Sequence, residues 1–590
     1  MKVIMTGDEA VARGAWEAGV TVAAAYPGTP STEIMEALGT EYKQDVHAQW
    51  ACNEKVALEI AVGASIGGAR SLASMKHVGM NVAADPLFTA AYTGVNGGLV
   101  VVSADDPGFH SSQNEQDNRH YAKSAKLLLL EPSDSQECAD FTRAAFELSE
   151  RFDMVAMIRI TTRVCHSKSL VELSERSDCG VKPYVRNPGK YAMLPANARV
   201  RHSALEAHLK EAAAYADTCP MNRAEWNDTA IGVITSGISY QHARDVFGDT
   251  VSYLKLGMTN PMPDNLIRDF CQKVDKIYII EEGDPFLEDA VRRLGFDPLG
   301  KAVVPAEGEL NAAIVRKAFL GIEPPEAPKV DAAAPARPPV LCAGCPHRGF
   351  YQALRKYAKK IVRCGDIGCY SLGVSAPMEG FDLAICMGGG FSTAIGMSYA
   401  LAQQGDDRKV FGMLGDSTFF HSGMTGLVDI VHSDANVCAC VLDNSITAMT
   451  GHQQNPGTPV DLMGQDAAPV AIEAVVRATG LPEERIRIVD PVDQAAMDEA
   501  VTAALAVTGP FVIISRRPCA LLKDFIKANN GRHCVVNSDK CVGCRQCMSI
   551  ACPAMSFRDG KAMVSDTASC TGCGLCMQMC RLGAIERIGG

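Results

Sequence analysis

Two runs of closely spaced cysteines near the end of the chain constrain its fold and chemistry more than any other feature. The runs are C-x2-C-x2-C-x4-C and C-x2-C-x2-C-x3-C, formed by Cys541, Cys544, Cys547 and Cys552 and by Cys570, Cys573, Cys576 and Cys580. Three thiolates on one tight loop can hold three corners of a four-iron cluster. Zinc knuckles, the alternative, usually take their ligands from two separated pairs. The spacing therefore predicts two [4Fe–4S] clusters.

The fourth ligand of each cluster is expected from the other run, as in two-cluster modules generally. This rule assigns one cluster to Cys541, Cys544, Cys547 and Cys580, and the other to Cys552, Cys570, Cys573 and Cys576. The segment resembles two-cluster bacterial ferredoxins, with an extra residue before Cys552 and with Arg581 where proline is usual. Such a module implies single-electron transfer to a carrier.

The composition is that of a globular protein. The 590 residues are 47% hydrophobic and 21% charged, and no run reaches the roughly 18 to 20 apolar residues that a membrane-spanning helix needs. No basic segment followed by an apolar one indicates a secretory signal. The net charge of −12 is spread along the chain, which argues against a nucleic-acid surface. We expect a cytoplasmic protein that binds neither nucleic acid nor membrane.

Apolar runs alternate with helical stretches along most of the chain, for example a strand at 97–106 and a helix at 54–68. This alternation predicts an α/β multidomain protein with parallel sheets flanked by helices, followed by a C-terminal α+β module. A Pro- and Ala-rich segment is typical of a semi-rigid linker. The predicted divisions are a first α/β domain at 1–165, a polar connection plus small α/β domain at 166–321, the linker at 322–339, a third α/β domain at 340–528 and the cysteine-rich module at 529–590.

Two predicted strands of the third domain end in polar side chains. Asp416 lies between Gly415 and Ser417 at the end of one strand, and Asn444 ends the next strand 28 residues after Asp416. Ligands bind outside the carboxyl ends of parallel strands, and these oxygen donors suit a hard divalent cation such as Mg²⁺. A glycine loop before a helical stretch could bring backbone N–H groups to a phosphate; it consists of Gly388, Gly389 and Gly390.

This pattern resembles the thiamine diphosphate motif, with Ser417 in place of its last glycine. The resemblance implies that Asp416 and Asn444 bind Mg²⁺ through their side chains and that Ile446 binds it through its carbonyl oxygen. Four segments of the third domain resemble the diphosphate-binding half of 2-oxoacid:ferredoxin oxidoreductases, above all the large subunit of those that act on indolepyruvate. The segments are CAGCPHRGF, GDIGCYSLG, GDSTFFHSGMTGL and DNSITAMTGHQQNPG.

The same resemblance implies that Cys345, His347 and Cys369 lie near the cofactor. A different reading of the cysteines in this region is a structural zinc site, which the spacing permits for Cys342, Cys345, Cys364 and Cys369.

Two segments of the first domain, AYPGTPSTEI and NEKVALEIAVGAS, resemble the pyrimidine-binding half of the same family. The resemblance implies that Glu54 is the activating glutamate and that Thr29 faces the substrate carboxylate. It makes Lys76 and His77 candidates to lie near the cofactor. A structural explanation for Glu54 is also open, because the dipole of a helix favours a negative side chain at its first residues. Arg119 is a candidate partner of a carboxylate, although it also fits a solvated surface position.

The resemblance implies oxidative decarboxylation of a 2-oxoacid, with aryl pyruvates such as indolepyruvate as substrates and coenzyme A as the acyl acceptor. Electrons would pass through the two clusters to ferredoxin. The alternatives are pyruvate or branched-chain substrates, a non-redox thiamine decarboxylase or carboligase, or an electron-transfer subunit with an inactive front half. The family also has a small β subunit with a gamma-type domain that this chain lacks, which implies a partner and an α2β2 assembly.

Overall fold

The computed structural model describes residues 1–324 and 339–589, so most of the predicted linker 322–339 lies outside the described residues. The chain divides into two compact units, which we call unit 1 (described residues 1–324 with 462–464) and unit 2 (described residues 339–461 with 465–589). Each unit contains two of the four predicted domains. Within the described residues, no helix is both long and apolar enough to cross a membrane.

Unit 1 is built on a seven-stranded and a four-stranded sheet, with an additional antiparallel pair formed by its first and eighth strands. Its strands are β1 (Lys2–Thr6), β2 (Val22–Ala25), β3 (His47–Trp50), β4 (Ser71–Lys76), β5 (Leu99–Asp105), β6 (Leu128–Leu130), β7 (Ala156–Thr161), β8 (Lys168–Glu172), β9 (Arg223–Glu225), β10 (Ile231–Ser236), β11 (Ser252–Leu256), β12 (Met258–Asn260) and β13 (Lys276–Ile280).

The helices of unit 1 alternate with these strands. They are α1 (Gly7–Glu17), α2 (Thr32–Thr40), α3 (Glu54–Ile66), α4 (His77–Val82), α5 (Ala84–Thr93), α6 (Arg119–Ala125), α7 (Ser135–Phe152), α8 (Thr162–His166), α9 (Pro188–Tyr191), α10 (Pro195–Ala216), α11 (Gly237–Phe247), α12 (Asp264–Cys271), α13 (Phe286–Arg293) and α14 (Ala312–Leu320).

The large sheet of unit 1 has the order β12-β6-β7-β5-β4-β2-β3, parallel except for β12 at one edge. Every residue of β4, β5 and β7 is buried, as expected for strands covered by helices on both faces. The small sheet has the order β13-β10-β11-β9, with β9 antiparallel. Strand β2 leads into the turn at Thr29, and β4 leads directly into α4, so both connections lie at the carboxyl edge of one sheet.

Unit 2 contains a five-stranded parallel sheet with the order β14-β15-β16-β18-β17 and a cysteine-rich module with two antiparallel pairs. Its strands are β14 (Ile361–Cys364), β15 (Lys409–Gly415), β16 (Val437–Asp443), β17 (Ile486–Val489), β18 (Phe511–Arg516), β19 (His533–Val536), β20 (Met555–Arg558), β21 (Lys561–Val564) and β22 (Ile585–Ile588).

The helices of unit 2 are α15 (His347–Arg355), α16 (Gly389–Gln403), α17 (Asp416–Thr418), α18 (Met424–His432), α19 (Ile472–Ala478), α20 (Gln494–Leu505), α21 (Lys523–Ala528) and α22 (Leu575–Met579), with 3₁₀ turns at Cys369–Val374, Glu483–Arg485 and Gln546–Ile550 and a π turn at Phe419–Gly423. Strands β15 and β16 are buried throughout and lie side by side, so their carboxyl ends place Asp416 and Asn444 at one edge. The predicted fold class, parallel α/β sheets followed by an α+β module, is confirmed.

Candidate active site and electron-transfer module

Glu54 is the first residue of α3 and is almost fully buried, with 5% of its surface exposed. The side chain of Asn53 caps the helix by accepting a hydrogen bond from Val56 N at 2.9 Å. A β-carbon added at Gly79 would lie 2.6 Å from Glu54 Oε1, so the carboxylate rests directly on the backbone of α4. This close approach explains why the position opposite Glu54 is a glycine.

The turn after β2 brings Thr29 beside the end of β4. Thr29 is half-buried and precedes Pro30 through a cis peptide bond. A β-carbon at Gly28 would lie 3.1 Å from the β-carbon of Lys76, which places the two segments in contact. Lys76 donates to the carbonyl oxygen of Ser111, and burial lowers the pKa of its ammonium group to about 8.

His77 begins α4 and is fully buried. Its Nε2 atom lies 3.1 Å from the carbonyl oxygen of Asn114, so Nε2 carries the proton and Nδ1 is left as an acceptor. Among the described residues Nδ1 has no partner, and burial lowers the pKa of the ring. A neutral imidazole therefore lies next to Lys76 in the same part of unit 1.

In unit 2, three oxygen atoms converge at the carboxyl ends of β15 and β16. The side-chain oxygen of Asn444 lies 3.1 Å from Asp416 Oδ1 and 2.7 Å from the carbonyl oxygen of Ile446. Oxygens this close require either a rotated Asn444 amide, which would donate to both, or a cation between them. Carboxylate, amide and carbonyl oxygens are the donors that hard divalent cations take, so the set fits such an ion as it stands.

The electrostatics of Asp416 agree with this fit. The carboxyl group is buried, and burial together with the charge of Asp443 raises its pKa to about 7. Asn455 donates to its Oδ2 atom at 3.2 Å, and Arg516 pairs with Asp443 at 2.6 Å. A divalent cation would offset both the burial of Asp416 and its repulsion by Asp443, and would hold Asp416 in its charged form.

The glycine loop lies against the same edge. Gly388 has φ +80°, and α16 begins at Gly389. The Gly388 N–H donates to Asp366 Oδ1 at 2.9 Å, and the Tyr370 hydroxyl donates to Asp366 Oδ2 at 2.7 Å. Burial raises the pKa of Asp366 to about 7. Asp366 thus fixes the start of the helix whose N-terminus could face a phosphate.

The remaining residues predicted at this edge are also buried or half-buried. A β-carbon at Gly415 would lie 2.7 Å from the ring of Tyr370, and Ser417 accepts a hydrogen bond from Thr447 at 2.9 Å. Gly390, in the first turn of α16, approaches the carbonyl oxygen of Met413 too closely for a side chain. Burial lowers the pKa of His347, whose ring lies edge-on to Tyr370, to about 4.

Four thiols from three segments form a group that the spacing did not reveal. The group consists of Cys342, Cys345, Cys369 and Cys519. Each of the last three has a pKa raised first by burial and then by the other thiols of the group, to about 12 for Cys345 and Cys369. The charge of Asp416 also acts on Cys369 and Cys519. Four thiols of this kind could hold an iron–sulfur cluster.

The structure does not bring together the four thiols of the alternative zinc interpretation, Cys342, Cys345, Cys364 and Cys369. Among the described residues these thiols do not come within 4.8 Å of one another as a group, which a zinc site requires. Cys364 ends β14, and burial raises the pKa of its thiol to about 11. It packs in a different core from Cys345.

The cysteine-rich module brings seven of its eight predicted ligands into two groups. A cavity of about 190 Å³ is lined by Cys541, Cys544, Cys547 and Cys580. The charges acting on Cys547 come from the other three members of this set, and those acting on Cys573 include Cys552 and Cys570. We call these groups cluster 1 (with Cys580) and cluster 2 (with Cys552). In each group the fourth cysteine comes from the other run, and the exchange of the fourth ligand stays a prediction.

Three family models match the sequence. The family "Pyruvate flavodoxin/ferredoxin oxidoreductase, thiamine diP-bdg" matches residues 13–216, the "Thiamine pyrophosphate enzyme, C-terminal TPP binding domain" matches 366–515, and the "4Fe-4S binding domain" matches 563–586. The first covers the Glu54 region and the second covers the Asp416 region. The chain thus contains thiamine diphosphate-binding domains in both units and an iron–sulfur domain at its C-terminal end.

Relatives match along almost their whole length. The chain is 39% identical to "Indolepyruvate oxidoreductase subunit IorA" of Archaeoglobus fulgidus, with 99% of this chain and 97% of the relative covered. For the IorA subunits of Methanothermobacter thermautotrophicus and Pyrococcus horikoshii the identities are 41% and 38%, with 100% of this chain and 98% and 97% of the relatives covered. The chain belongs to the IorA family. Its relatives are named as subunits of an oxidoreductase.

One prediction for this IorA chain needs correction. Arg119 is not a surface residue, since only 1% of it is exposed. Its guanidinium pairs with Asp117 and, at 2.7 Å, with Glu281, and it donates to the carbonyl oxygens of Glu282 and Asp284. These partners occupy the N–H donors of the guanidinium, so the group does not bind a substrate carboxylate. Arg119 instead ties the large sheet of unit 1 to its small sheet.

Sequence reasoning missed three residues of these sites. Gly79 supports Glu54, Asp366 holds the glycine loop, and Cys519 completes the group of four thiols. Asp366 lies in the segment GDIGCYSLG, whose resemblance to the family could have pointed to it. Gly79 lies two residues after the candidate His77, so the same resemblance covered its segment. Cys519 lies in a segment whose spacing carries no signal, because its partners are distant in sequence.

Proposed function

We propose that this IorA chain is the catalytic subunit of an enzyme that oxidatively decarboxylates indolepyruvate and related aryl pyruvates. The overall reaction converts the 2-oxoacid and coenzyme A to the acyl-CoA and CO₂, releasing two electrons and one proton. The observation that carries this proposal is the combination, in one chain, of two thiamine diphosphate-binding domains and an iron–sulfur domain within a full-length IorA match. A non-redox decarboxylase or carboligase would not need the iron–sulfur domain.

Unit 1 supplies the groups that would act on a proton and on the substrate. Bound thiamine diphosphate supplies a nucleophilic carbon and an electron sink. We assign to Glu54 the role of holding a proton at the aminopyrimidine ring of the cofactor, and its burial on Gly79 keeps that carboxylate in one position. Thr29 and the neighbouring Lys76 are suited to orient the substrate carboxylate, and His77 is suited to accept a hydrogen bond at Nδ1.

Unit 2 supplies the groups that would hold the diphosphate. We assign Mg²⁺ to the oxygens of Asp416, Asn444 and Ile446, because the amide group lies within 3.1 Å of both the carboxylate and the carbonyl oxygen and oxygen donors suit a hard cation. Gly388, Gly389 and Gly390 at the start of α16 would present backbone N–H groups to phosphate oxygens, with Gly415 and Ser417 beside them. Cys345, His347 and Cys369 remain candidates to contact the cofactor.

The contacts within unit 2 support a direction for the electrons. The four-thiol group lies beside Asp416, and its member Cys342 lines the same cavity, of about 650 Å³, as Cys570 of cluster 2. Cluster 1 lines an open groove together with the exposed Val542 and Leu582. We propose that electrons enter the module at cluster 2 and leave from cluster 1 to ferredoxin, which would dock at that groove.

The expected partners follow from family membership. The relatives are named as subunits, and we propose a small β subunit with a gamma-type domain in an α2β2 assembly. Ferredoxin is the proposed electron acceptor and coenzyme A the proposed cosubstrate.

The test is an anaerobic assay of the complete complex with indolepyruvate, coenzyme A and a low-potential dye. We expect two electrons transferred to the dye for each CO₂ released, together with the acyl-CoA. Release of CO₂ and the aldehyde without dye reduction would instead support a non-redox decarboxylase. If pyruvate or a branched-chain 2-oxoacid reacted and both indolepyruvate and phenylpyruvate were inert, the substrate assignment would be wrong but the reaction type would stand.

A further inference from the structure

Arg348, the second residue of α15, is a buried cation without a carboxylate partner among the described residues. Only 1% of it is exposed. Its Nε atom donates to the carbonyl oxygen of Cys342 at 3.0 Å, and Nη1 donates to those of Ile550 at 2.8 Å and Ala551. Nη2 donates to the carbonyl oxygen of Leu341. Every partner is neutral, so these bonds satisfy its donors but not its charge.

Carbonyl dipoles lower the cost of a buried charge, and an opposite charge nearby lowers it further. The groups that would act most strongly on Arg348 when deprotonated are thiols, with Cys552 first, followed by Cys345, Cys342 and Cys573. Cys552 and Cys573 are proposed ligands of cluster 2, and Cys552 directly follows a residue whose carbonyl oxygen Arg348 binds. A four-iron cluster held by four thiolates carries net negative charge, which would supply the missing counter-charge.

Cluster 1 has no equivalent among the described residues. The cations beside it include Lys561, which donates to the carbonyl oxygen of Cys541, and Arg545, which lies over the ring of Phe557. Lys540 and Arg581 also line its cavity. All four are exposed, so water and salt screen their charges. Arg517 also acts on cluster 2 through Cys573, but it is paired with Asp490. Arg348 is thus a buried, unpaired cation on the side of cluster 2.

We propose that Arg348 is the fixed counter-charge of cluster 2 and that it raises the reduction potential of this cluster. Accepting one electron adds a negative charge to the cluster, and a buried cation stabilises the reduced form more than the oxidised form. By binding both the Cys342 loop and the Ile550–Ala551 loop, Arg348 also positions cluster 2 against the four-thiol group. The proposal rests on the electron path of the proposed function.

The test compares Arg348→Gln, which removes the charge, with Arg348→Lys, which keeps it, in the complete complex. The readout is a redox titration followed by the electron paramagnetic resonance of the reduced clusters. In Arg348→Gln the midpoint potential of one cluster should fall by at least about 59 mV. For a one-electron couple this corresponds to a tenfold change in the equilibrium constant of reduction. Arg348→Lys should keep most of the wild-type value. Arg545→Gln, the exposed control, should leave that midpoint unchanged.

Equal midpoints in Arg348→Gln and the wild type would overturn the proposal. So would an equally large fall in Arg348→Lys, because the charge would then not be the cause. If Arg348→Gln lost iron, the test would rest on Arg348→Lys alone. A wild-type midpoint potential in that variant would support the proposal, and a fall would contradict it. A shifted midpoint in a complex that fails to oxidise aryl pyruvates would support the role of Arg348 and contradict only the proposed substrate.

Discussion

The parallel sheets of the two units end in edges that are alike in architecture and different in chemistry. The edge in unit 1 carries one buried glutamate, Glu54, and two nitrogen groups, Lys76 and His77, whose pKa values burial lowers. The edge in unit 2 carries a convergent set of oxygens around Asp416 and a glycine loop. The difference indicates that the first edge is suited to holding and moving a proton, whereas the second is suited to binding a charged group.

The largest effect on cofactor binding is expected from Asp416→Ala. Removing the only carboxylate of the oxygen set should weaken Mg²⁺-dependent thiamine diphosphate binding by more than ~100-fold, since even outer groups around a metal are worth 10- to 100-fold. Activity should be lost with binding. Isothermal titration with the cofactor and Mg²⁺ measures this effect, and Asn455→Ala, which removes only a hydrogen bond to Asp416, should show a smaller one. An Asp416→Ala protein with unchanged affinity would contradict the assigned role.

A smaller effect, confined to unit 1, is expected from Gly79→Ala. The added methyl group would lie 2.6 Å from Glu54 Oε1 and force the carboxylate to move. A misplacement of about 1 Å at a reacting group can cost ~100-fold in rate, so turnover should fall while cofactor affinity changes little. Gly63→Ala is the matched control, because it lies in α3 and its added methyl group would meet no atom within 4 Å. Equal turnover in the two variants would argue against a fixed position for Glu54.

What could be predicted from the sequence depended on how local each contact is. The eight predicted ligands of the cysteine-rich module lie within two short runs, so their spacing was enough to predict an iron–sulfur module. Asp416 and Asn444 could be placed because each ends a buried strand and parallel strands end at one edge. Arg119 was misplaced because its partner Glu281 is 162 residues away. Cys519 escaped notice because folding alone brings it to Cys342 and Cys369.

The two edges should also differ in their response to pH. Burial lowers the pKa of Lys76 to about 8, so its charged form is lost as the pH rises through this value. If the ammonium orients the substrate carboxylate, kcat/KM should fall by up to ~10-fold per pH unit above 8. Lys76→Met should be less active than the wild type below pH 8, and its kcat/KM should not show this fall above pH 8. An unchanged pH profile in Lys76→Met would remove Lys76 from substrate binding.

The same shift predicts the direction of a stability change. Between pH 8 and the ordinary lysine range, the unfolded chain binds a proton that the folded chain has released. The contribution of Lys76 to the free energy of unfolding should therefore rise with pH in that window and stay constant below it. Comparing the pH dependence of unfolding in the wild type and in Lys76→Met measures this contribution.

The smallest functional effect is expected from Ile446→Ala. The group assigned to Mg²⁺ is the carbonyl oxygen, so cofactor affinity should stay within about threefold of the wild type. The side chain is buried, and its loss should lower the free energy of unfolding by about 2–5 kcal/mol. Thermal unfolding and cofactor titration on the same preparation separate the two quantities. A large loss of affinity without a loss of stability would mean that the side chain itself matters at the site.

The division of labour between the two edges is tested most directly by measuring turnover and cofactor affinity together in Glu54→Gln. The amide has the size of the carboxylate and should keep the packing on Gly79, but it cannot hold the proton. We predict a fall in turnover of ~100- to 10,000-fold with thiamine diphosphate affinity nearly unchanged. Retained turnover, or a loss of affinity as large as that of Asp416→Ala, would contradict the account.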